Sequence, residues 1–397
     1  MTDPKKSIGA RWIIPVASPP LRDAAMVIAG GLIREIVPDG RGSADVDAGD
    51  VAILPRLVNA HTHLEFSHLP SPIGQPGIAI TDWIPQVIAH RRAMGPGSDV
   101  HQAVLQGIDE CWNTGTGAIG EIATSPWFLK TRARVDCQIA WFLERLGNRP
   151  ADVDDRMDEA RTWLDAFSNG SGAARSGFVA GLSPHSPYST HDGLFEQLVE
   201  LAVHRRLPLA MHLAETKEEL QWLTDSDGPF AAMLESLGAL PDHPQWRRPM
   251  DYLQLLARAH RCLVIHGNYL APNELDFIGQ NRNRMHLVYC PRTHEFFGHE
   301  RWPLPEVLQR GINVAVGTDS RASNPDLNLW SELRTITRLF PDVPGSTILE
   351  MGTVGGARAL GLEDRMGTLQ PGRRAMYWTM PAGDTDSDEW VDRLLGR

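Results

Sequence analysis

The sequence predicts an α/β protein, a (β/α)8 barrel flanked by a small β-sandwich domain built from both chain ends. Eight short apolar segments alternate with amphipathic stretches of helical length, which is typical of parallel strands in a closed barrel. Both chain ends carry β-rich segments with glycine-containing turns. We therefore assign residues 53–361 to the barrel, and residues 1–52 with 362–397 to the small domain.

Composition and charge exclude several classes of protein. The formal charge of −11, with scattered Lys and Arg, makes nucleic acid and anionic membranes unexpected partners and favours a small-molecule substrate. The four cysteines form no CxxC pair, so neither a thiolate zinc site nor a disulfide framework is indicated. The first residues are polar and no apolar stretch could span a bilayer, so we expect a cytoplasmic protein.

The predicted small domain begins with a strand at 8–16 and continues as two β-rich runs within 24–37, joined at Gly30-Gly31. Residues 367–380 return to a turn-and-strand pattern near the other end of the chain. We expect the two ends to pair in one domain beside the barrel.

The barrel strands follow as short apolar runs. They are predicted at 53–63, 117–122, 138–144, 179–184, 208–215, 262–267, 285–290 and 313–319. Helical stretches lie between most of them, at 100–114, 152–167, 193–205 and 251–260, and two more follow the last strand at 327–339 and 346–360.

Two long segments interrupt this regular alternation. Residues 67–97 contain a predicted helix at 82–94, and residues 217–249 contain another at 230–237. Such insertions after barrel strands lie over the C-terminal face and shape access to it.

Polar side chains recur at the predicted C-terminal ends of the strands, where barrel active sites lie. They are His61, His63, His185, His212, Glu215, His266, His294 and Asp319. A single histidine there is more often an ordinary core or surface side chain, but the joint placement indicates a site. Because alternate side chains of a strand share a face, His61 and His63 can bind one metal ion.

A catalytic metal of the zinc type takes three or four N and O ligands and one water. His61, His63, His212 and Asp319 supply the ligands, and the bound water becomes a hydroxide nucleophile. Glu215 is placed to move a proton to the substrate, and His266 can orient the hydroxide or add a ligand.

The motifs resemble the amidohydrolase superfamily, in the branch of chlorohydrolases and of deaminases of guanine, S-adenosylhomocysteine and aminofutalosine. The matching segments are PRLVNAHTHLEF from Pro55, SPHSPYST from Ser183, MHLAETKEE from Met211, VIHGNYL from Val264, VYCPRTHEFFGH from Val288 and VGTDSRASNPDLNLWSEL from Val316. Together with GARALGL followed by GTLQPG near the C-terminus, they span nearly the whole chain.

The resemblance implies a mononuclear Zn2+ or Fe2+ centre held by the ligands named above, with Glu215 as proton shuttle and His266 and Asp319 beside the metal-bound water. It implies that His185 contacts the substrate and that the chain deaminates a nitrogen heterocycle. No lysine at the predicted strand ends could bridge two metals, so one metal is expected. A homodimer is common among such proteins.

Three departures from the family pattern stand out. Arg56 replaces a glycine, Thr293-His294 replaces Ser-Asn, and Ala375-Met376-Tyr377 replaces Ala-Asp-Leu. None involves an implied ligand, but His294 weakens any transfer of the guanine or S-adenosylhomocysteine pocket.

The substrate we favour is an adenine-bearing nucleoside such as aminofutalosine, because Glu65 and Phe66 resemble the deaminases of that compound. Arg91 or Arg92 could bind its carboxylate, although a solvated helix face explains at least one of them. The predicted substrate-binding residues are Glu65, Phe66, Trp83, His185, His294 and Arg92, and Phe296 and Phe297 could also stack on a ring.

Other readings of the site stay open. They are deamination of S-adenosylhomocysteine, methylthioadenosine or guanine-type rings, chlorohydrolysis of s-triazines, and, in another class, a non-catalytic scaffold with the same fold.

Overall fold

The structure, a computed structural model, describes residues 4–94, 100–126, 136–169, 178–241, 247–382 and 390–396. The described residues form a barrel of eight parallel strands and a separate six-stranded mixed sheet. The predicted barrel and flanking β domain are both confirmed. No helix in these ranges is long and apolar enough to cross a membrane.

Fourteen strands are assigned within the described ranges. They are β1 (Lys6–Ile13), β2 (Leu21–Ala29), β3 (Leu32–Val37), β4 (Val46–Asp47), β5 (Val51–Pro55), β6 (Leu57–Thr62), β7 (Thr116–Ala123), β8 (Gln138–Arg145), β9 (Val179–Pro184), β10 (Leu209–Leu213), β11 (Cys262–His266), β12 (Met285–Tyr289), β13 (Asn313–Val316) and β14 (Tyr377–Pro381).

Helices connect and follow the strands. They are α1 (Ile80–Met94), α2 (Val100–Asn113), α3 (Val153–Asn169), α4 (Asp192–Arg205), α5 (Lys217–Asp225), α6 (Pro229–Ser236), α7 (Pro249–Leu256), α8 (Pro272–Gln280), α9 (Pro291–Phe296), α10 (Leu304–Gln309), α11 (Leu329–Leu339), α12 (Gly345–Glu350), α13 (Gly356–Leu360) and α14 (Trp390–Leu394), with a π-helical segment, Met351–Gly355, between α12 and α13.

The small sheet joins the two ends of the chain, as predicted. Its strand order is β14-β5-β1-β2-β3, and β4 pairs with β1. The β2–β3 turn has positive φ at Gly30 (61°) and Gly31 (69°), the conformation that a tight hairpin requires. Ala10, Met26 and Ile53 are among the fully buried residues of its own apolar core.

The barrel runs from β6 to β13, each strand pairing in parallel with the next. A hydrogen bond from the Asp319 backbone N–H to the His61 carbonyl, 3.1 Å long, joins the last strand region to the first. The larger apolar core lies between the strands and the surrounding helices.

The predicted first barrel strand, 53–63, is two strands. β5 pairs with β1 and β14 in the small sheet, and β6 begins after Arg56 and pairs with β7. Both strands are almost entirely buried, so an unbroken apolar run conceals the point where the chain leaves one sheet for the other.

The two insertions contain helices, as predicted. The first holds α1, and the second holds α6 close to the predicted range, together with α5, which was not predicted. Thr216 caps α5 by accepting a hydrogen bond from the Glu219 N–H at 3.0 Å. The Thr-x-x-Glu spacing at 216–219 is a helix-start signal, and α5 could have been predicted from it.

Candidate active site

Barrel closure brings the predicted site residues of the first and last strands together. Asn59 and Thr318 exchange two hydrogen bonds, 2.7 Å between their side chains and 3.1 Å from the Thr318 N–H to Asn59 Oδ1. The Thr62 hydroxyl donates to the Asp319 carbonyl at 2.8 Å. These buried contacts set Asp319 beside His61 and His63.

Four predicted metal ligands converge at this point. The Nε2 atoms of His61 and His212 are 3.3 Å apart. Asp319 Oδ1 lies 3.6 Å from His61 Nε2 and 3.8 Å from His63 Nε2. The donor atoms of His61, His63 and His212 all lie within 4.8 Å of one another, as do those of His61, His266 and Asp319.

This donor set fits a divalent metal ion. The His212 ring lies with Nδ1 3.0 Å from the His185 carbonyl, so Nδ1 carries the hydrogen and the Nε2 lone pair faces the other ligands. Burial lowers the pKa of His61 well below its usual value and that of His212 to about 4, so both rings are neutral, the form that binds metal. Separations near 3.3 Å match the edge of a tetrahedron with bonds of about 2.05 Å.

A carboxylate–imidazole pair lies beside the ligands. Glu215 Oε1 is 3.5 Å from His266 Nε2, and both side chains are buried. Burial, with the nearby Asp319 and Glu219 carboxylates, raises the pKa of Glu215 well above its usual value. A carboxyl group with a raised pKa is suited to general acid chemistry.

The backbone around Glu215 is held by a second buried carboxylate. Glu219 accepts hydrogen bonds from the N–H groups of Ala214 and Glu215, both 2.8 Å long. The Asn268 amide donates to the Glu215 carbonyl at 3.0 Å. The Glu215 side chain thus projects from a fixed chain segment.

A cavity of about 520 Å³ opens above these residues, within the size range of small-molecule sites. His63, His212, Glu215, His266 and Asp319 line it. The predicted substrate-binding residues Phe66, Trp83 and His185 also line it, together with Arg91 and Phe297. In the described residues that line it there is no lysine.

Three predicted substrate-binding residues lie elsewhere. Glu65 lies behind the cavity lining, where it bonds to Arg91 and Thr124. Arg92 does not line the cavity, because one residue along a helix turns its side chain about 100° away from that of Arg91, which does. His294 is buried on α9 with Nε2 2.6 Å from the Glu300 carbonyl, and neither it nor Phe296 lines the cavity.

Several residues of the cavity lining were missed at the sequence level, among them Glu144, Tyr188 and Arg149. Glu144 ends the predicted third strand, so the strand-end rule that selected the histidines would also have selected it. Tyr188 and Arg149 lie in loops, and their positions depend on tertiary folding.

Comparison with known proteins agrees with this geometry. The family model named Amidohydrolase family matches residues 52–380, most of the chain. The chain therefore belongs to the amidohydrolase family, whose members are metal-dependent hydrolases.

Individual relatives narrow the class further. A 5-methylthioadenosine/S-adenosylhomocysteine deaminase of Syntrophobacter fumaroxidans is 26% identical over 357 residues, covering 88% of this chain and 76% of the relative. An aminodeoxyfutalosine deaminase of Deinococcus radiodurans is 29% identical over 347 residues, covering 84% and 79%. Together with the family, these relatives confirm the prediction of a hydrolytic deaminase.

The fold has a solved counterpart. Helicobacter pylori aminofutalosine deaminase, in complex with methylthio-coformycin, superposes with a TM-score of 0.83 at 22% identity, over 98% of this chain and 96% of that chain. The barrel with its flanking β domain is thus an architecture already known.

Proposed function

We propose that this protein is a metal-dependent deaminase of an adenine-bearing nucleoside, with an aminofutalosine-type compound as the first candidate. The observation that carries the proposal is the convergence of a metal-type donor set with the buried Glu215–His266 pair at the floor of one cavity. Both curated relatives described above are named as deaminases of such nucleosides.

His61, His63, His212 and Asp319 are the proposed metal ligands. A divalent ion held by them would lower the pKa of a water molecule and so supply the nucleophile at neutral pH. Zinc is the proposed ion, with Fe2+ as the alternative, since imidazole and carboxylate ligands suit both. Metal analysis of the purified protein distinguishes the two ions.

Glu215 is the proposed proton carrier. Its proton passes to the ring nitrogen next to the amino-bearing carbon, which makes that carbon more electrophilic. Addition of water across this bond and departure of the amino group as ammonia leave the oxo product. His266 and Asp319, both facing the same space, hold the attacking oxygen in line.

The residues that line the cavity favour an aromatic substrate with a negatively charged substituent. Phe66, Trp83 and Tyr188 offer aromatic surface, and two arginines, Arg91 and Arg149, are also part of the cavity lining. Arginine binds carboxylates through a paired fork of N–H groups. A nucleoside that carries a carboxylate away from its base therefore matches the cavity.

An ammonia-release screen tests the proposal. It compares adenosine, methylthioadenosine, S-adenosylhomocysteine, aminofutalosine, guanine and a chlorotriazine, with chloride measured for the last compound. We expect ammonia from at least one adenine nucleoside. Chloride from the triazine without ammonia from any nucleoside would instead indicate a chlorohydrolase.

Glu215→Gln is the matched variant for this screen. It preserves the shape of the side chain but removes the titrating proton, so we expect turnover to fall at least about a hundredfold. Metal content should remain unchanged, since Glu215 is not a proposed ligand. Full activity in this variant would refute the proton-carrier role, and a metal-free, inactive wild type after reconstitution would favour the non-catalytic scaffold.

We further propose that the protein works in a reducing compartment such as the cytoplasm. All four cysteines, Cys111, Cys137, Cys262 and Cys290, are buried and free.

A further inference from the structure

Glu144 is a buried carboxylate for which the reaction described above has no role. It lies on β8, the third barrel strand, with 5% of its surface exposed, and it lines the cavity. Among the described residues its Oε1 atom has no hydrogen-bond partner. A buried polar atom left unsatisfied is costly, so its retention requires an explanation.

A purely structural role does not supply that explanation. Glu121, on the neighbouring strand β7, is also buried, and its Oε1 atom likewise has no hydrogen-bond partner among the described residues. Its Oε2 atom, however, accepts a hydrogen bond from the Leu64 N–H at 2.9 Å, and Glu121 does not line the cavity. Glu219 accepts two backbone hydrogen bonds beside Glu215. Glu121 and Glu219 thus each hold a backbone segment through at least one oxygen, whereas Glu144 lines the cavity and its Oε1 atom bonds to no described residue.

A second metal ion does not explain Glu144 either. The donor atoms of Glu144, His185 and His212 lie within 4.8 Å of one another. However, His212 Nδ1 donates to the His185 carbonyl, and its one lone pair, on Nε2, points to His61 Nε2 at 3.3 Å. One lone pair cannot serve two ions, so only Glu144 and His185 remain, too few for a site of their own.

Glu144 and His185 form a pair that opens toward the cavity. Glu144 Oε1 and His185 Nε2 are 3.8 Å apart, too far for a hydrogen bond with each other. His185 Nδ1 contacts the hydroxyls of Ser186 and Ser189. When one of these hydroxyls donates to Nδ1, the hydrogen of the ring is on Nε2, which then faces the cavity as a donor.

A hydroxyl group fits between these two atoms. Its oxygen can lie about 2.8 Å from both, donating its hydrogen to the carboxylate and accepting one from the imidazole. The pair comes from β8 and the end of β9, whereas Glu215 and His266 come from the ends of β10 and β11. His212 lies between the two pairs, with ring centroids 5.0 Å from His185 and 5.5 Å from His266.

We propose that Glu144, together with His185, binds a sugar hydroxyl of the nucleoside and so selects ribonucleosides over deoxynucleosides. This inference rests on the proposed function. The base would occupy the side of Glu215, and the sugar would extend toward β8 and β9. Glu144 is thus a specificity residue of the same site.

The experiment measures kcat/KM for ammonia release with adenosine, 2′-deoxyadenosine and 3′-deoxyadenosine, or with matched analogues of the best substrate in the screen. Wild-type protein should prefer the ribonucleoside over at least one deoxy analogue by about tenfold to a hundredfold, the usual effect of leaving a buried polar group without its hydrogen bond. In Glu144→Gln this preference should fall to about threefold or less.

Glu274→Gln is the control. Glu274 is buried like Glu144, but it caps α8 through the Ala271 N–H at 2.7 Å and does not line the cavity. It should retain the wild-type preference. Thermal melting of the wild type and both variants shows whether each protein folds normally. The preference is a ratio of two kcat/KM values measured on the same folded protein, so a folding defect alone leaves it unchanged.

The outcomes separate the two proposals. An unchanged hydroxyl preference in Glu144→Gln, or none in the wild type, overturns the inference while deamination stands. Equal loss for all three nucleosides places the contact on the base and also overturns it. Ammonia release from no adenine nucleoside by the wild type refutes the proposed function and this inference with it.

Discussion

Two residues that line the cavity, His266 and Asp319, have positive φ angles of 66° and 55°, and Ala214, which precedes the lining residue Glu215, has a φ angle of 53°. Non-glycine residues in such conformations cost about 1–3 kcal/mol each and persist where surrounding contacts hold them. Here the Ala214 N–H donates to Glu219 and the His266 carbonyl accepts from Trp302 Nε1 at 3.1 Å. The strained backbone aims Glu215, His266 and Asp319 into one space.

Glu65 contacts other protein residues instead of the substrate that the sequence predicted for it. Its Oε2 atom accepts from Arg91 Nη2 at 2.9 Å, and Oε1 accepts from the Thr124 N–H at 2.9 Å. The Arg91 guanidinium also lies 4.6 Å from the centre of the Phe66 ring. Glu65 therefore positions Arg91 rather than lining the cavity itself.

Arg91→Lys should weaken binding of a carboxylate-bearing nucleoside. An ammonium group cannot offer the paired donors of a guanidinium, so we expect KM for that substrate to rise about tenfold. KM for adenosine should change less than about twofold. Steady-state kinetics with both substrates checks this.

Arg92→Lys is the matched control, because Arg92 is the next residue on α1 and is exposed. It should leave both KM values unchanged. An equal rise for both substrates in Arg91→Lys would show that Arg91 supports the fold of α1 and does not recognise a carboxylate.

Glu332, on α11, connects α9 to the loop that follows Asp319 through hydrogen bonds. Its carboxylate accepts hydrogen bonds from the Arg292 N–H of α9 at 3.0 Å and from the Asn324 amide at 2.6 Å. Asn324 Nδ2 also lies 2.8 Å from the Thr318 carbonyl. Burial raises the pKa of Glu332 to about 8, although Arg292 opposes the shift.

This raised pKa predicts a pH dependence of stability. The folded state keeps the Glu332 proton while the unfolded chain releases it near its ordinary pKa of 4.5, so the folded state binds more protons between these values. Stability from this group is therefore fully present below about pH 4.5 and is lost as pH rises toward about 8. Melting temperature should fall less between pH 5 and pH 8 in Glu332→Gln than in the wild type.

The slope of melting temperature against pH is the quantity to compare, because glutamine offers one acceptor where Glu332 uses two and the absolute stability will drop. Glu235→Gln, at an exposed position on α6, is the control and should follow the wild-type slope. Parallel curves for all three proteins would contradict the prediction.

The barrel and the small sheet are joined through Arg56. Its guanidinium lies 3.6 Å from the ring centre of Trp112, on α2, and 5.0 Å from that of Trp378, on β14. Arg56 Nη1 donates to the Trp112 carbonyl at 2.8 Å. Arg56, which stands where the family usually has glycine, thus has a packing role where the barrel and the small sheet meet.

Arg56→Ala should lower the free energy of unfolding by about 1–3 kcal/mol, through loss of two cation–π contacts and one hydrogen bond. Urea unfolding measures this value. Arg56→Lys retains the positive charge but loses the planar stacking, so it should lie between alanine and the wild type. No change in either variant would show that the two units meet without help from Arg56.

Much of the architecture could be predicted because it depends on local pattern. Eight apolar runs marked the barrel strands, and the polar residues that end them marked the site, since parallel strands place their C-terminal ends on one face. The Gly30-Gly31 hairpin and the pairing of both chain ends in one small domain also followed from local turn and strand signals.

The sequence by itself determined the barrel, the pairing of both chain ends and the strand ends that carry the histidines. These features depend on hydrophobic periodicity and on turn-forming residues, which are local properties of the chain. Only the tertiary structure decided that β5 belongs to the small sheet, that Arg91 rather than Arg92 reaches the cavity, and that Glu144 Oε1 has no hydrogen-bond partner among the described residues. These depend on which elements meet in space, and adjacent residues of similar chemistry do not reveal that.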